Sequence, residues 1–231
     1  MKLKYILPII LTSLFLSSTS KENSAEFMKK VAGRYLYNSD EIVEVYFKDK
    51  DLYLKWRGAT TIKPLTLGNE TFFVKEMNEK IQFLKNPIDN LDYLVLIPKN
   101  KDEKIQYTIK KLADAEKIPS EYLNNNEFDK ALESYLALQK KDSLNNALEE
   151  NNFNSFGYSE LRKKNYPKAI HIFEINAALY PNSSNVYDSL AEAFMKSGDT
   201  IKAIENYKKS LMLDSGNKRA KRNIEKMKNK E

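Results

Sequence analysis

Two kinds of apolar spacing divide the chain. Over residues 22–112 apolar and polar residues alternate in short runs. Val43, Val45 and Phe47 alternate with Glu44, Tyr46 and Lys48, and Leu52, Leu54 and Trp56 with Tyr53, Lys55 and Arg57. The series continues through Ile62 and Leu65, Phe72-Phe73-Val74, Ile81 and Phe83, and Tyr93-Leu94-Val95-Leu96-Ile97, with residues 106–109 as its last member. A period of two marks half-buried strands, because successive side chains point to opposite faces. Turn residues lie between the runs: Lys50-Asp51, Arg57-Gly58, Leu67-Gly68-Asn69, Asn86-Pro87 and Pro98-Lys99-Asn100. Short strands so spaced predict an antiparallel barrel or sandwich of about seven or eight strands. A short helix over residues 25–32, ended by Gly33, precedes them.

From residue 113 the spacing becomes helical. Residues 184–217 place Ala191, Ala203 and Ser210 where two helices must touch, and Tyr187, Leu190, Phe194, Tyr207 and Leu211 where space must be filled. Gly198-Asp199 supplies the turn. Thirty-four residues upstream, Phe153, Phe156, Gly157, Ala169, Phe173 and Pro181 stand in step with Tyr187, Leu190, Ala191, Ala203, Tyr207 and Ser215. Two positions break step: Glu160 stands opposite Phe194, with Leu161 taking the apolar role, and Asn176 opposite Ser210. An earlier unit keeps Ala131, Leu132, Tyr135 and Leu138 in its second helix. Its degraded first helix starts at Pro119, where a first-turn proline is tolerated.

This thirty-four-residue helix-turn-helix pattern resembles the tetratricopeptide repeat. The resemblance implies a solenoid whose first helices line its inner face. By that analogy the inward residues are Asn151, Asn154, Tyr158, Leu161 and Arg162, then Asn185, Asp188, Glu192, Met195 and Lys196. The candidate partner-binding set is Asn154, Tyr158, Arg162, Asp188, Glu192, Met195 and Lys196. Polar, aromatic and flexible apolar groups together suit an extended peptide or a helix. The Lys and Asn pattern that clamps a terminal carboxylate in chaperone-binding relatives is missing. The units are a partial repeat at 119–149 and repeats at 150–183 and 184–217. Residues 218–231 follow as a basic capping helix whose apolar stripe is Ala220, Ile224 and Met227.

The first twenty residues read as a signal peptide. Lys2 and Lys4 give a positive start, residues 5–16 are apolar, and Ser18-Thr19-Ser20 offers small residues for cleavage near Ser20. A membrane span needs about 20 apolar residues, more than this run offers. The expected location is therefore periplasmic or secreted, with membrane contact only through an uncleaved leader. The chain has 231 residues and a formal charge of +6, and acids and bases are interspersed. That pattern argues against a nucleic-acid binder, which clusters its basic residues. There is no cysteine, so disulfides and thiolate chemistry are excluded and stability rests on packing.

A second resemblance spans most of the chain. Gly33-Arg34-Tyr35, Ile42-Val43-Glu44-Val45, Leu52-Tyr53-Leu54, Pro64-Leu65, Glu70-Thr71-Phe72-Phe73 and Ile81-Gln82-Phe83 follow one another in an order similar to the small β-domain of β-lactamase-related serine hydrolases. In some of those proteins tetratricopeptide repeats come next, as Phe173-Glu174-Ile175-Asn176 and Asn185-Val186-Tyr187-Asp188-Ser189-Leu190 do here. Their catalysis needs Ser-x-x-Lys, a Tyr-x-Asn or Ser-x-Asn, and a Lys-Thr-Gly-like strand. Ser18-Thr19-Ser20-Lys21 lies at the cleavage site, Tyr122-Leu123-Asn124 and Ser143-Leu144-Asn145 lie among the repeats, and no Lys-Thr-Gly exists. The chain thus resembles the non-catalytic half of that architecture.

Other chemistry is thinly represented. His171, the only histidine, shares a helical face with Glu174, but a metal site usually needs three or four ligands. Asp49 and Asp51 belong to a hairpin turn. Trp56 and its aromatic neighbours either fill the β-domain or line a small-ligand cavity. The expectation is an α+β protein of two domains: an exported, non-catalytic interaction module without cofactor, binding a protein or peptide. The alternatives are an accessory subunit of a separate β-lactamase-like hydrolase and a carrier of small apolar ligands.

Overall fold

The computed structural model describes residues 23–229. The expected leader, its cleavage site and the last two residues of the expected cap lie outside them. The chain divides into two compact units, one holding the described residues up to Gly33 together with Glu44–Thr108, the other Arg34–Val43 with Ile109 onward. This division departs from the change in spacing near residue 112, because Arg34–Val43 goes with the helices.

In the first unit, helix α1 (Ala25–Val31) is capped by Ser24, whose hydroxyl accepts the Phe27 N–H at 3.1 Å. Phe27 and Val31, one turn apart, are its buried residues. Phe27 stacks on Phe72 at 6.1 Å and meets Phe47 and Phe83 edge-on at 6.2 and 6.1 Å. Strands β2 (Glu41–Lys48), β3 (Asp51–Trp56) and β4 (Ala59–Ile62) form one meander, with only Glu44–Lys48 of β2 in this unit. Strands β5 (Leu65–Gly68), β6 (Thr71–Val74), β7 (Glu79–Lys85) and β8 (Asp92–Leu96) form another. Pairs such as Val45 with Leu54 and Phe72 with Ile81 keep the apolar alternation on one face. Asp49-Lys50, Arg57-Gly58 and Asn69-Glu70 all have positive φ at both turn positions. Such two-residue turns match the twist of the strands they join.

Of the barrel or sandwich expected, no closed barrel is seen among the described strands. β4 pairs with β3 and β5 with β6, and no described pairing joins β4 to β5. Both edges are four residues long, and apart from Ile62 every residue in them is exposed. Short, wet edges are a common way to leave a sheet open without inviting another strand. The chain forms nine described strands rather than seven or eight. Trp56 is half-exposed, with the Arg57 guanidinium 4.5 Å from its ring centre.

In the second unit, β1 (Gly33–Asn38) pairs with β9 (Ile109–Lys111) through Tyr35–Lys111 and Leu36–Lys110. Of the expected last strand, residues 106–109, only Ile109 is extended in a sheet. The turn after β1 is tied to the helices. Asp40 accepts the Ser120 N–H at 2.7 Å and the Tyr135 hydroxyl at 2.9 Å, and Asn145 donates to Ser39 at 2.8 Å. Arg34 pairs with Glu121 and donates to the Glu116 carbonyl at 2.7 Å.

The helices are α2 (Pro119–Asn124), α3 (Phe128–Lys141), α4 (Glu150–Arg162), α5 (Tyr166–Leu179), α6 (Ser184–Ser197), α7 (Thr200–Leu213) and α8 (Lys218–Lys228). α4, α6 and α8 begin thirty-four residues apart, as do α5 and α7. α3 begins thirty-eight before α5, so the step between Ala131 and Ala169 is four residues longer than that between Ala169 and Ala203. The extra residues lie in the α3–α4 connection, which holds a 3-10 turn over Asn146–Leu148. Ala169, Ala203, Ala191, Phe173 and Tyr207 are fully buried, as their spacing requires. Each hairpin turn uses one left-handed residue: Asn126, Lys164 and Gly198. Glu160, opposite Phe194 in the register, is buried; Asn165 and Lys163 donate to it at 2.9 and 2.7 Å, and these donors, Lys163 foremost, hold its carboxyl below the usual range. Before α3, the Lys117 and Lys130 ammonium groups hold the Glu127 carboxyl at about 2.

Candidate binding face of the helical repeats

The inner face is built by α4, α6 and α8, one helix from each successive unit. α6 presents Asp188 and Glu192 on adjacent turns, and both meet α8. Arg219 pairs with Asp188, donates to Glu192 at 2.8 Å and donates to the Tyr158 hydroxyl of α4 at 3.2 Å. The Tyr158 hydroxyl in turn donates to Glu192 at 3.1 Å. Lys196 lies 3.5 Å from the second Glu192 oxygen. Asn217 donates to Asp188 at 3.0 Å and to Ser210 at 3.0 Å, while its own side-chain oxygen accepts the Ala220 N–H and caps α8. A guanidinium fork suits this geometry because its donors are fixed in one plane. Asp188 and Glu192 against Arg219 and Lys196 leave the network neutral.

The network stands on a packed floor. The Tyr158 ring meets Phe173 edge-on at 5.3 Å, and Phe173 is fully buried against α4. Ala220 and Met227 of α8 are buried in the same core, with Ile224 partly so. Tyr207, in the middle of α7, accepts a hydrogen bond from Asn223 at 2.8 Å; burial pushes its hydroxyl up to about 12.

The fold brings Tyr158, Asp188, Glu192 and Lys196 together. Met195 is half-buried against the core, and Arg162 is exposed beyond the network. Asn154 is half-buried, and its side-chain oxygen has no partner among the described residues. Asn151 is exposed, and Asn185 donates to Glu150 at 2.9 Å. Leu161, placed on the inner face by analogy, is a core residue and fills the apolar slot its register opposite Phe194 indicated, because its neighbour Glu160 turns to the α4–α5 corner. Arg219 and Asn217 were not among the expected residues. The thirty-four-residue register carried one step past Asn185 lands on Arg219, so the signal was present in the spacing.

His171 carries no site of this kind. Its ring stacks on Phe128 at 4.2 Å and its Nδ1 lies 3.0 Å from Glu174. Among the described residues no group of three or more His, Cys, Asp or Glu is placed to hold a metal ion.

With its thirty-four-residue step, small contact residues and ladder of first helices, the distal half has tetratricopeptide-type architecture. No protein-family model matches the chain. No curated protein matches it either. Solved structures similar to it include the first tetratricopeptide domain of Spaghetti (RPAP3) bound to an HSP90 peptide, at 17% identity over 48% of this chain and 86% of that one, with a TM-score of 0.35. MamA is similar at 18% identity over 50% and 85%, with a TM-score of 0.35. The Sgt2 domain from Aspergillus fumigatus is similar at 19% identity over 48% and 73%, with a TM-score of 0.35. Likeness this low transfers no property of those proteins to this chain.

Proposed function

We propose that the chain is a non-catalytic interaction module whose repeat face binds a protein or peptide partner. The observation that carries this reading is the Tyr158–Glu192–Arg219 network, which joins three successive first helices into one polar face. Hydrogen-bonding groups held by an internal network are pre-organised, so less side-chain freedom is lost when a partner arrives. Arg162, exposed one turn after Tyr158 on α4, and Lys196, an exposed member of the network itself, offer charged donors to carbonyl or carboxylate groups. In a capture experiment with the chain as immobilised bait, Tyr158→Ala and Arg162→Ala together should abolish retention of the partner that the unaltered bait holds. Retention at full strength by the double variant would refute the inner face as the binding surface.

The location that fits this reading is outside the cytoplasm, on the strength of Lys2, Lys4, the apolar run and Ser18-Thr19-Ser20. Amino-terminal sequencing of protein recovered from the cell envelope or medium should start near Lys21. A sequence starting at Met1, in protein retained in the cytoplasm, would count against export.

A further inference from the structure

A cavity of about 680 Å³ opens in the helical unit, away from the inner face. It exists because α2 is only six residues long and the α3–α4 connection is four residues longer than the later one. Its walls come from the turn after β1, from α2 and α3, from that connection and from the start of α4. The volume falls in the range of about 300–1,000 Å³ typical of ligand sites.

The lining has one sign of charge. Asp40, Glu41 and Asp142 contribute three carboxylates, Glu41 accepting from Asn38 and Asp142 from Asn145, and among the described residues no lysine, arginine or histidine lines the cavity. Asp40 accepts from the Ser120 N–H and the Tyr135 hydroxyl, and no cation is among its partners. Burial raises its carboxyl above the usual range, as expected for a carboxylate whose charge is incompletely compensated. Low-dielectric walls of one sign focus the field and attract a cation. Carboxylates alone make only a solvated patch, and two further features distinguish this place. Asn124, Asn146 and Asn152, all exposed, also line it, and their side-chain amides make no hydrogen bond among the described residues, so each can exchange water for a ligand's donor and acceptor. A peptide unit presents the same pair of groups in reverse. Leu123, Phe153 and Phe156 supply an apolar floor, and Leu144 stands 90% exposed at the rim.

We propose that this cavity is a second binding site, for an extended peptide segment carrying a lysine or arginine side chain. The carboxylates take the cation, the three amides pair with the peptide main chain, and the floor takes the aliphatic stem. An anionic ligand is excluded by the lining. A free polyamine could use the carboxylates but would leave the amides unpaired.

The test is fluorescence anisotropy on the purified chain. The probe is a fluorescein-labelled Ser-Ala-Lys-Arg-Ala-Ser peptide, compared with Ser-Ala-Glu-Glu-Ala-Ser and with spermidine as competitor. The basic peptide should bind about tenfold more tightly than the acidic one, the worth of one or two well-placed charge pairs. Asp40→Asn, Glu41→Gln and Asp142→Asn together should remove about tenfold of that affinity, while Glu225→Gln on α8 should leave it unchanged. Because Asp40 also ties Ser120 and Tyr135, a milder variant is needed. Asp142→Asn with Asn152→Ala changes two exposed residues and should still weaken binding severalfold. Equal affinity for both peptides, unweakened binding in both cavity variants, or spermidine competing as well as the unlabelled basic peptide would each overturn the proposal. These variants leave Tyr158 and Arg219 untouched, so failure here is separable from failure of the inner face.

Discussion

Replacing Gly157 by alanine should destabilise the helical unit, although alanine is the better helix former. Inside a helix the exchange favours alanine by about 1 kcal/mol. Here an added Cβ would meet the Phe173 ring at 2.5 Å, well inside the usual contact of about 3.5–4.0 Å. Phe173 is fully buried between α4 and the next hairpin, so its ring has no free volume to retreat into. Overpacking a filled core typically costs about 1–3 kcal/mol, and a clash this deep lies at or beyond the upper part of that range. A net loss of about 2 kcal/mol corresponds to a melting temperature lower by roughly 4–8 °C. Thermal unfolding followed by circular dichroism at 222 nm measures it. Phe173→Leu, itself destabilising, should be less harmful in the Gly157→Ala background than alone, because the smaller side chain makes room for the methyl. A rise in melting temperature on Gly157→Ala would show that α4 and α5 leave room for the methyl group.

The same pair shows what the spacing of residues can reveal. Gly157 and Ala191, Ala169 and Ala203, and Phe173 and Tyr207 occupy equivalent slots, and local periodicity announces such slots because each residue touches neighbours within its own hairpin or the next. The β-hairpins were legible for the same reason: strand alternation and turn residues are local. What was missed is long-range. Asp40 reaches Ser120 and Tyr135, and Ser39 reaches Asn145, across eighty residues or more. No period in the sequence marks those partners, so Arg34–Val43 looked like part of the sheet unit. Whether the sheet closes was illegible for a related reason. Alternation shows that a strand has a dry face but not whether its edge finds another strand, and β4 and β5 are too short and exposed to be joined. The cavity was hidden because it arises from a shortened helix and a lengthened connection, both of which look in sequence like a degraded repeat.

Replacing Arg219 by methionine should cost the helical unit about 2–3 kcal/mol and loosen α8. Methionine keeps much of the aliphatic stem, so the change isolates the charge and its donors. The Asp188 side chain is 8% exposed and that of Arg219 is 38% exposed. Without Arg219, Asp188 keeps, among the described residues, only the Asn217 amide as a side-chain donor, and Glu192 keeps Tyr158 and Lys196. Removing one partner from an ion pair strands the other, and the penalty grows with the burial of the group left behind. Asp188 is buried enough for that penalty to dominate, whereas the half-exposed arginine regains water when unfolded. Arg219→Lys should recover only part of the loss, because an ammonium cannot reach Asp188, Glu192 and Tyr158 with a planar fork. Hydrogen exchange of the α8 amides should rise in the variant, since its N-terminal turn is held to α6 through Arg219 and Asn217. An unchanged melting temperature and unchanged α8 protection would mean that the network adds nothing to the solenoid. The inner face would then be a set of independent surface charges, and the pre-organisation on which its binding role rests would be gone.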